Sequence, residues 1–139
     1  MTTREEYERR RMMVADHILE HPSEFDMNVF GYRGPSCGTT ACIAGTAVIQ
    51  VEKQGLCELH WGGSDTSGAA GLGERLTVTG PVGVQYAEDL DLFAREYLGL
   101  TSHNIFYDFG LTPEGAAKGL LEEPYVSDDH VQRFTCRVQ

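Results

Sequence analysis

Several features that would mark a function are missing from this sequence. No apolar run approaches the roughly 18 residues of a transmembrane helix, so no membrane span is expected. The first twenty residues are charged and hold no apolar core segment, so nothing reads as a signal peptide and a cytoplasmic protein is expected. Neither a GxGxxG nor a Walker pattern is present, which leaves a phosphate cradle unsupported. Basic residues are scarce: 11 Lys and Arg stand against 21 Asp and Glu, a net charge of −10. Binding to a nucleic-acid duplex is driven by Lys and Arg displacing counterions, so this balance argues against it. There is no internal repeat and no linker composition, and 139 residues suffice for one compact acidic domain, 1–139.

The acidity is uneven. Residues 1–60 carry about −3 and residues 61–139 about −7, the latter including Glu88, Asp89, Asp91, Glu122, Glu123, Asp128 and Asp129. Such charges serve either as solvated helix faces or as a surface directed at a basic partner. The four cysteines, Cys37, Cys42, Cys57 and Cys136, are expected to be free thiols in a reducing compartment.

Periodicity predicts a mainly α fold of about five helices around a buried central helix, with a small β-hairpin. Residues 3–21 carry a stripe of Tyr7, Arg11, Val14 and Ile18, with Thr3 and Glu6 spaced as a capping box and Pro22 ending the helix. Residues 25–32 are apolar and irregular, suited to a strand or a plug under that helix. A helix is expected over about 39–54, and from Ala41 to Val51 it is apolar on nearly every side, the mark of a central helix. Gly45 in its middle costs about 1 kcal/mol against Ala and so predicts a close crossing by another element. Strand candidates at 56–61 and 75–79 flank a glycine-rich stretch and form the expected hairpin. A helix is expected over 83–98 with Gly99 after it. Another starts at Thr112–Pro113 and stops before Pro124, and a last short one is capped by Ser127 and runs through Val131 and Phe134.

Three stretches also carry a resemblance: HisProSerGluPheAspMet at 21–27, CysGlyThrThrAlaCysIleAlaGlyThrAla at 37–47, and TyrLeuGlyLeuThr at 97–101. Together they resemble an uncharacterised family of small phage and bacterial proteins carrying a CGTxxCxAGxA block. The likeness spans about residues 10–110, and its specific part is the block at 37–47. The family's Trp soon after that block is not matched, since the only tryptophan is Trp61. The resemblance implies an origin in a phage or in a host with phage-like accessory genes, and no activity. An accessory protein that binds a host protein fits that origin.

Four constellations could carry chemistry. Cys37 follows a Gly/Pro-rich loop just before the expected central helix, where orphan amides and the dipole would stabilise a thiolate. A hydrolase or transferase built on it would need a base, His60 or His103, and an orienting group such as Asp108, Asn104 or Asp65. The plainer reading of Cys37 is a small apolar residue at a tight helix entry. Cys37, Cys42, Cys57 and His60 have spacings near those of structural zinc sites, although Cys42 falls in the most apolar segment. HisIleLeuGluHis at 17–21 matches an H-x-x-E-H pattern with Glu96 downstream, or is simply two histidines at a helix C-terminus. Aromatic residues gather at 86–109, including Tyr97, Phe106 and Tyr107, as core or as the wall of a groove.

The reading these features favour is a non-enzymatic accessory protein, phage-related, that binds and modulates or inhibits a host protein. Its expected surface is acidic and aromatic, made of Glu88, Asp89, Asp91, Tyr97, Phe106 and Tyr107. No cofactor and no metal are expected, and the partner's complementary face is expected to be basic. The alternative is the Cys37-dependent hydrolase or transferase.

Overall fold

The fold is given by a computed structural model, which describes residues 2–34, 38–55, 58–59, 70–72, 75–79 and 85–130. The molecule is mainly helical. Its four α-helices among the described residues are α1 (Arg4–Glu20), α2 (Ile43–Lys53), α3 (Leu90–Leu98) and α4 (Pro113–Glu122). No helix among the described residues is long and apolar enough to cross a membrane.

Helix α1 begins where its caps dictate. Thr3 Oγ1 accepts the Glu6 amide at 3.2 Å, and Glu5 and Glu6 face the positive end of the dipole. The Glu6 side chain does not complete a reciprocal box. It pairs instead with Arg9 and, at 3.7 Å, with Arg10. The buried stripe is Tyr7, Arg11, Val14 and Ile18, and it rests mainly on α4.

Arg11 is the exception in that stripe, being charged and 0% exposed. Its guanidinium reaches the C-terminal ends of two helices. Nε donates to Leu98 O at 2.8 Å and Nη2 to Gly99 O at 2.9 Å, both at the end of α3. Nη1 donates to Leu120 O at 3.4 Å and Glu123 O at 2.5 Å, and Nη2 also to Pro124 O at 3.1 Å, at the end of α4. Helix C-termini expose carbonyls with no internal donor and a partial negative charge, so one buried cation serves both. The Tyr125 ring covers its outer face at 3.8 Å.

Helix α2 is the central helix, buried from Ile43 through Val51. A Cβ on Gly45 would sit 1.3 Å from the Phe30 carbonyl oxygen, so the crossing that Gly45 predicts is made by the chain at Phe30. That chain is stitched to the entry of α2 by Ala41 N–H to Glu24 O, Asp26 N–H to Ala41 O and Cys42 N–H to Val29 O, at 2.9, 3.0 and 2.9 Å. Residues 24–30 therefore act as the plug, under α2 rather than α1.

The β structure is larger than one hairpin. One three-stranded sheet has the order β2 (Gly38–Thr40), β1 (Gly31–Gly34), β4 (Ala70–Leu72). The other has the order β3 (Glu58–Leu59), β5 (Arg75–Thr79), β6 (Gln85–Asp89), all pairs antiparallel. Residues 85–89 lie in a strand, because they pair rung by rung with 75–79 from Arg75↔Asp89 to Thr79↔Gln85, and the helix expected over 83–98 starts only at Leu90. Residues 38–40 likewise pair with β1, so the helix expected over 39–54 starts at Ile43. The helix expected from Ser127 is a turn over its described part, with His130 N–H on Ser127 O at 3.0 Å; Val131 and Phe134 lie outside the described residues.

Helix α3 ends at Gly99, whose φ of 66° is left-handed and lets the Leu100 amide bond back to Arg95 O at 3.0 Å. Helix α4 opens as its sequence requires, with Thr112 Oγ1 accepting the Gly115 amide at 3.0 Å and Pro113 at the first position.

Candidate functional site

Between α3 and α4 the chain makes one 3-10 turn, Asn104–Tyr107. Ile105 and Phe106 spend their side chains on the core, which leaves their neighbours to face water. Tyr107 is 45% exposed and Phe109 59%, the most exposed of the large apolar side chains described. They are not loose. The Tyr107 hydroxyl donates to Asp91 Oδ2 at 2.7 Å. Asp91 itself is fixed in the first turn of α3, where its Oδ1 accepts the Leu92 amide at 2.8 Å. The His103 ring meets Tyr107 edge-on at 5.6 Å, and Tyr107 meets Phe109 edge-on at 6.4 Å, the geometry that aromatic quadrupoles favour. Asp108 lies between the two exposed rings in sequence, with Oδ1 accepting the Gly110 amide at 3.3 Å. Asp89 is exposed just before α3.

This arrangement is an aromatic ridge of His103, Tyr107 and Phe109, bordered by Asp91 and Asp108, with Asp89 exposed two residues before Asp91. It offers the Tyr107 ring at little entropic cost, because its rotamer is already held, with two further rings beside it and carboxylates that complement a basic surface.

The surface expected from the sequence is thereby revised. Tyr97 and Phe106 are 1% and 2% exposed and belong to the core. Tyr97 lies under the Arg10 guanidinium at 4.5 Å, and Gln54 Nε2 donates to its hydroxyl at 3.4 Å. Asp91 and Tyr107 do come together, and Asp89 is exposed nearby in sequence. Glu88 has a backbone position in β6, opposite Leu76. Phe109 belongs to the aromatic cluster expected at 86–109 as core or groove wall but not to the expected surface; it is exposed, as its place between Asp108 and Gly110 in a turn-rich stretch would suggest.

The other constellations are divided by the structure. Cys37, Cys57 and His60 lie outside the described residues. The helix that Cys37 was expected to precede starts instead after Cys42, which is its N-cap and accepts the Gly45 amide on sulfur at 3.4 Å. Burial pushes the Cys42 thiol above its ordinary pKa despite that bond, so it is a poor nucleophile. No hydrogen bond joins His103 to Asp108 among the described residues. His17 and His21 do share a helical face, their rings 4.8 Å apart. Glu96, however, pairs elsewhere: its Oε2 lies 2.6 Å from His130 Nε2. Among the described residues no three His, Cys, Asp or Glu side chains converge as metal ligands.

No family model matches the chain, and neither a curated protein nor a solved structure matches it.

Proposed function

We propose that the protein is a non-enzymatic binding protein that engages the basic surface of a host protein through the ridge of His103, Tyr107 and Phe109 and its bordering carboxylates. The observation that carries this reading is the exposed Tyr107 ring held in place by its hydrogen bond to Asp91, with the exposed Phe109 ring against its edge. A side chain kept rigid in water spends stability without burying area in its own fold. It loses less entropy when a partner covers it. The surrounding acidity would steer a basic partner and exclude an acidic one. The likeness of residues 37–47 to small phage and bacterial proteins supports a host protein as that partner, and occupation of its basic site would inhibit it.

Affinity capture from a bacterial lysate tests this. The expected result is one or a few basic proteins retained at low salt and released as salt rises, since screening weakens exposed charge pairs. Recovery of nothing at low salt would overturn the proposal.

A further inference from the structure

A second site lies in the cleft between α1 and α2. It has two adjoining chambers. The inner one, of about 250 Å³, is lined by His17, Glu24, Ala41, Thr46, Ile49, Gln50 and Lys53. The outer one, of about 360 Å³, shares His17, Gln50 and Lys53 with it and adds Met13, Asp16, Glu20 and Gln54.

Gln50 sits where the chambers meet. It is buried, and its Oε1 has no hydrogen-bond partner. A buried amide oxygen without a donor is rare in a folded protein and calls for a reason. The groups around it restrict what the reason can be. Thr46, which lines the inner chamber, donates its hydroxyl proton to Cys42 O at 2.7 Å, so its oxygen has only acceptor capacity left. Glu24 spends Oε2 on His21 Nδ1 at 3.2 Å. Three carboxylates, Asp16, Glu20 and Glu24, line the two chambers against the single ammonium of Lys53, which is exposed and free to turn toward water. Burial, and after it Lys53, hold His17 below the usual imidazole pKa, so at neutral pH it adds no positive charge. Ala41 and Ile49 provide apolar wall.

The cleft thus presents acceptors and negative charge beside a short apolar surface, and its one orphaned group lacks a donor. We propose that it binds a small organic cation, an alkylammonium or alkylguanidinium, whose stem rests on Ile49 and whose N–H groups are taken by Glu24 and, once the Gln50 amide turns from the wall into the cleft, by Gln50 Oε1. This site is separate from the aromatic ridge, and either can fail without the other.

The test is amide and side-chain NMR on the full chain, titrated with butylammonium, butylguanidinium and, as the opposite charge, butyrate. The expected result is a saturable shift of the Gln50 side-chain amide and of the Thr46 and Ile49 backbone amides with both cations and none with butyrate. Gln50→Leu, which removes one hydrogen bond, is expected to weaken binding about tenfold. The same variant without ligand is expected to melt no lower than the native chain, because the orphaned oxygen is gone. Glu24→Gln, on a half-exposed residue, is expected to weaken the cations as well. A blocked lysine (Nα-acetyl, N-methylamide) identifies the source. Tighter binding than butylammonium points to a peptide side chain, and weaker binding to a free amine. Failure of both cations to saturate, a response to butyrate, or unchanged affinity in Gln50→Leu and Glu24→Gln would each overturn the proposal. A marked drop in the melting temperature of Gln50→Leu would do so too, by showing that Gln50 is there for the fold.

Discussion

Arg11 offers the sharpest test of how the helices are held. Its five bonds run to carbonyls at the ends of α3 and α4, and these acceptors belong to the backbone, so no second mutation can remove them. Replacement of a buried ion pair by apolar residues can be neutral because both partners go; here only the donor can. Arg11→Met keeps most of the volume but leaves the carbonyls of two helix ends facing a thioether. Hydrogen bonds to charged groups contribute about 1.5–3 kcal/mol each and do not sum, and desolvation of the cation is recovered on its removal. A net loss of about 3–5 kcal/mol is expected, which for a domain of this size lowers Tm by roughly 10–20 °C. Arg11→Lys separates charge from geometry. One ammonium cannot span both helix ends as the planar fork does, so about half of that loss is expected to remain. Urea denaturation followed by circular dichroism measures both variants. An Arg11→Met variant within about 1 kcal/mol of the native chain, or an Arg11→Lys variant equal to it, would show that Arg11 does not hold the two helix ends.

Two further perturbations follow from the same packing. Gly45→Ala would gain helix propensity of about 1 kcal/mol on an open surface, but with Phe30 O 1.3 Å from the new Cβ it must push away the 24–30 segment. A loss of more than about 2 kcal/mol is expected in urea, and a gain would show that the crossing is loose. The depressed pKa of His17, caused first by burial and then by Lys53 and His21, means the folded state disfavours the imidazolium. Its contribution is fully present above the unfolded value of about 6.5 and is lost as pH falls through that value toward the lower folded one. Melting temperatures across that window are expected to fall more steeply for the native chain than for His17→Gln, and equal slopes would contradict the assignment.

Much of the helical frame was legible because its signals are local. Thr3 and Thr112 announce their helices by the amides they can cap, Pro113 by its fixed φ, and Gly99 by the left-handed turn that only it takes without strain. Gly45 told of a neighbour, though not which one. The errors share a different cause. Residues 85–89 carry a helical stripe but are claimed by pairing with 75–79, and residues 38–40 by pairing with 31–34. Strand pairing is a long-range contact, which a window of sequence does not contain. The aromatic cluster failed in a related way. Tyr97, Phe106 and Tyr107 are alike in composition, yet helix and turn geometry bury the first two and expose the third. Arg11 stood in the apolar stripe from the start, and only the two helix ends brought against it reveal why.

The account rests on the aromatic ridge as the binding surface, and the most direct measurement compares partner capture by three single variants with that by the native chain. Tyr107→Ala and Phe109→Ala remove the exposed rings, while Leu121→Ala removes an exposed apolar side chain on α4. The two ridge variants are expected to lose at least tenfold in affinity, about 1.4 kcal/mol, while Leu121→Ala binds as the native chain does. Equal capture by Tyr107→Ala, Phe109→Ala and the native chain would contradict it.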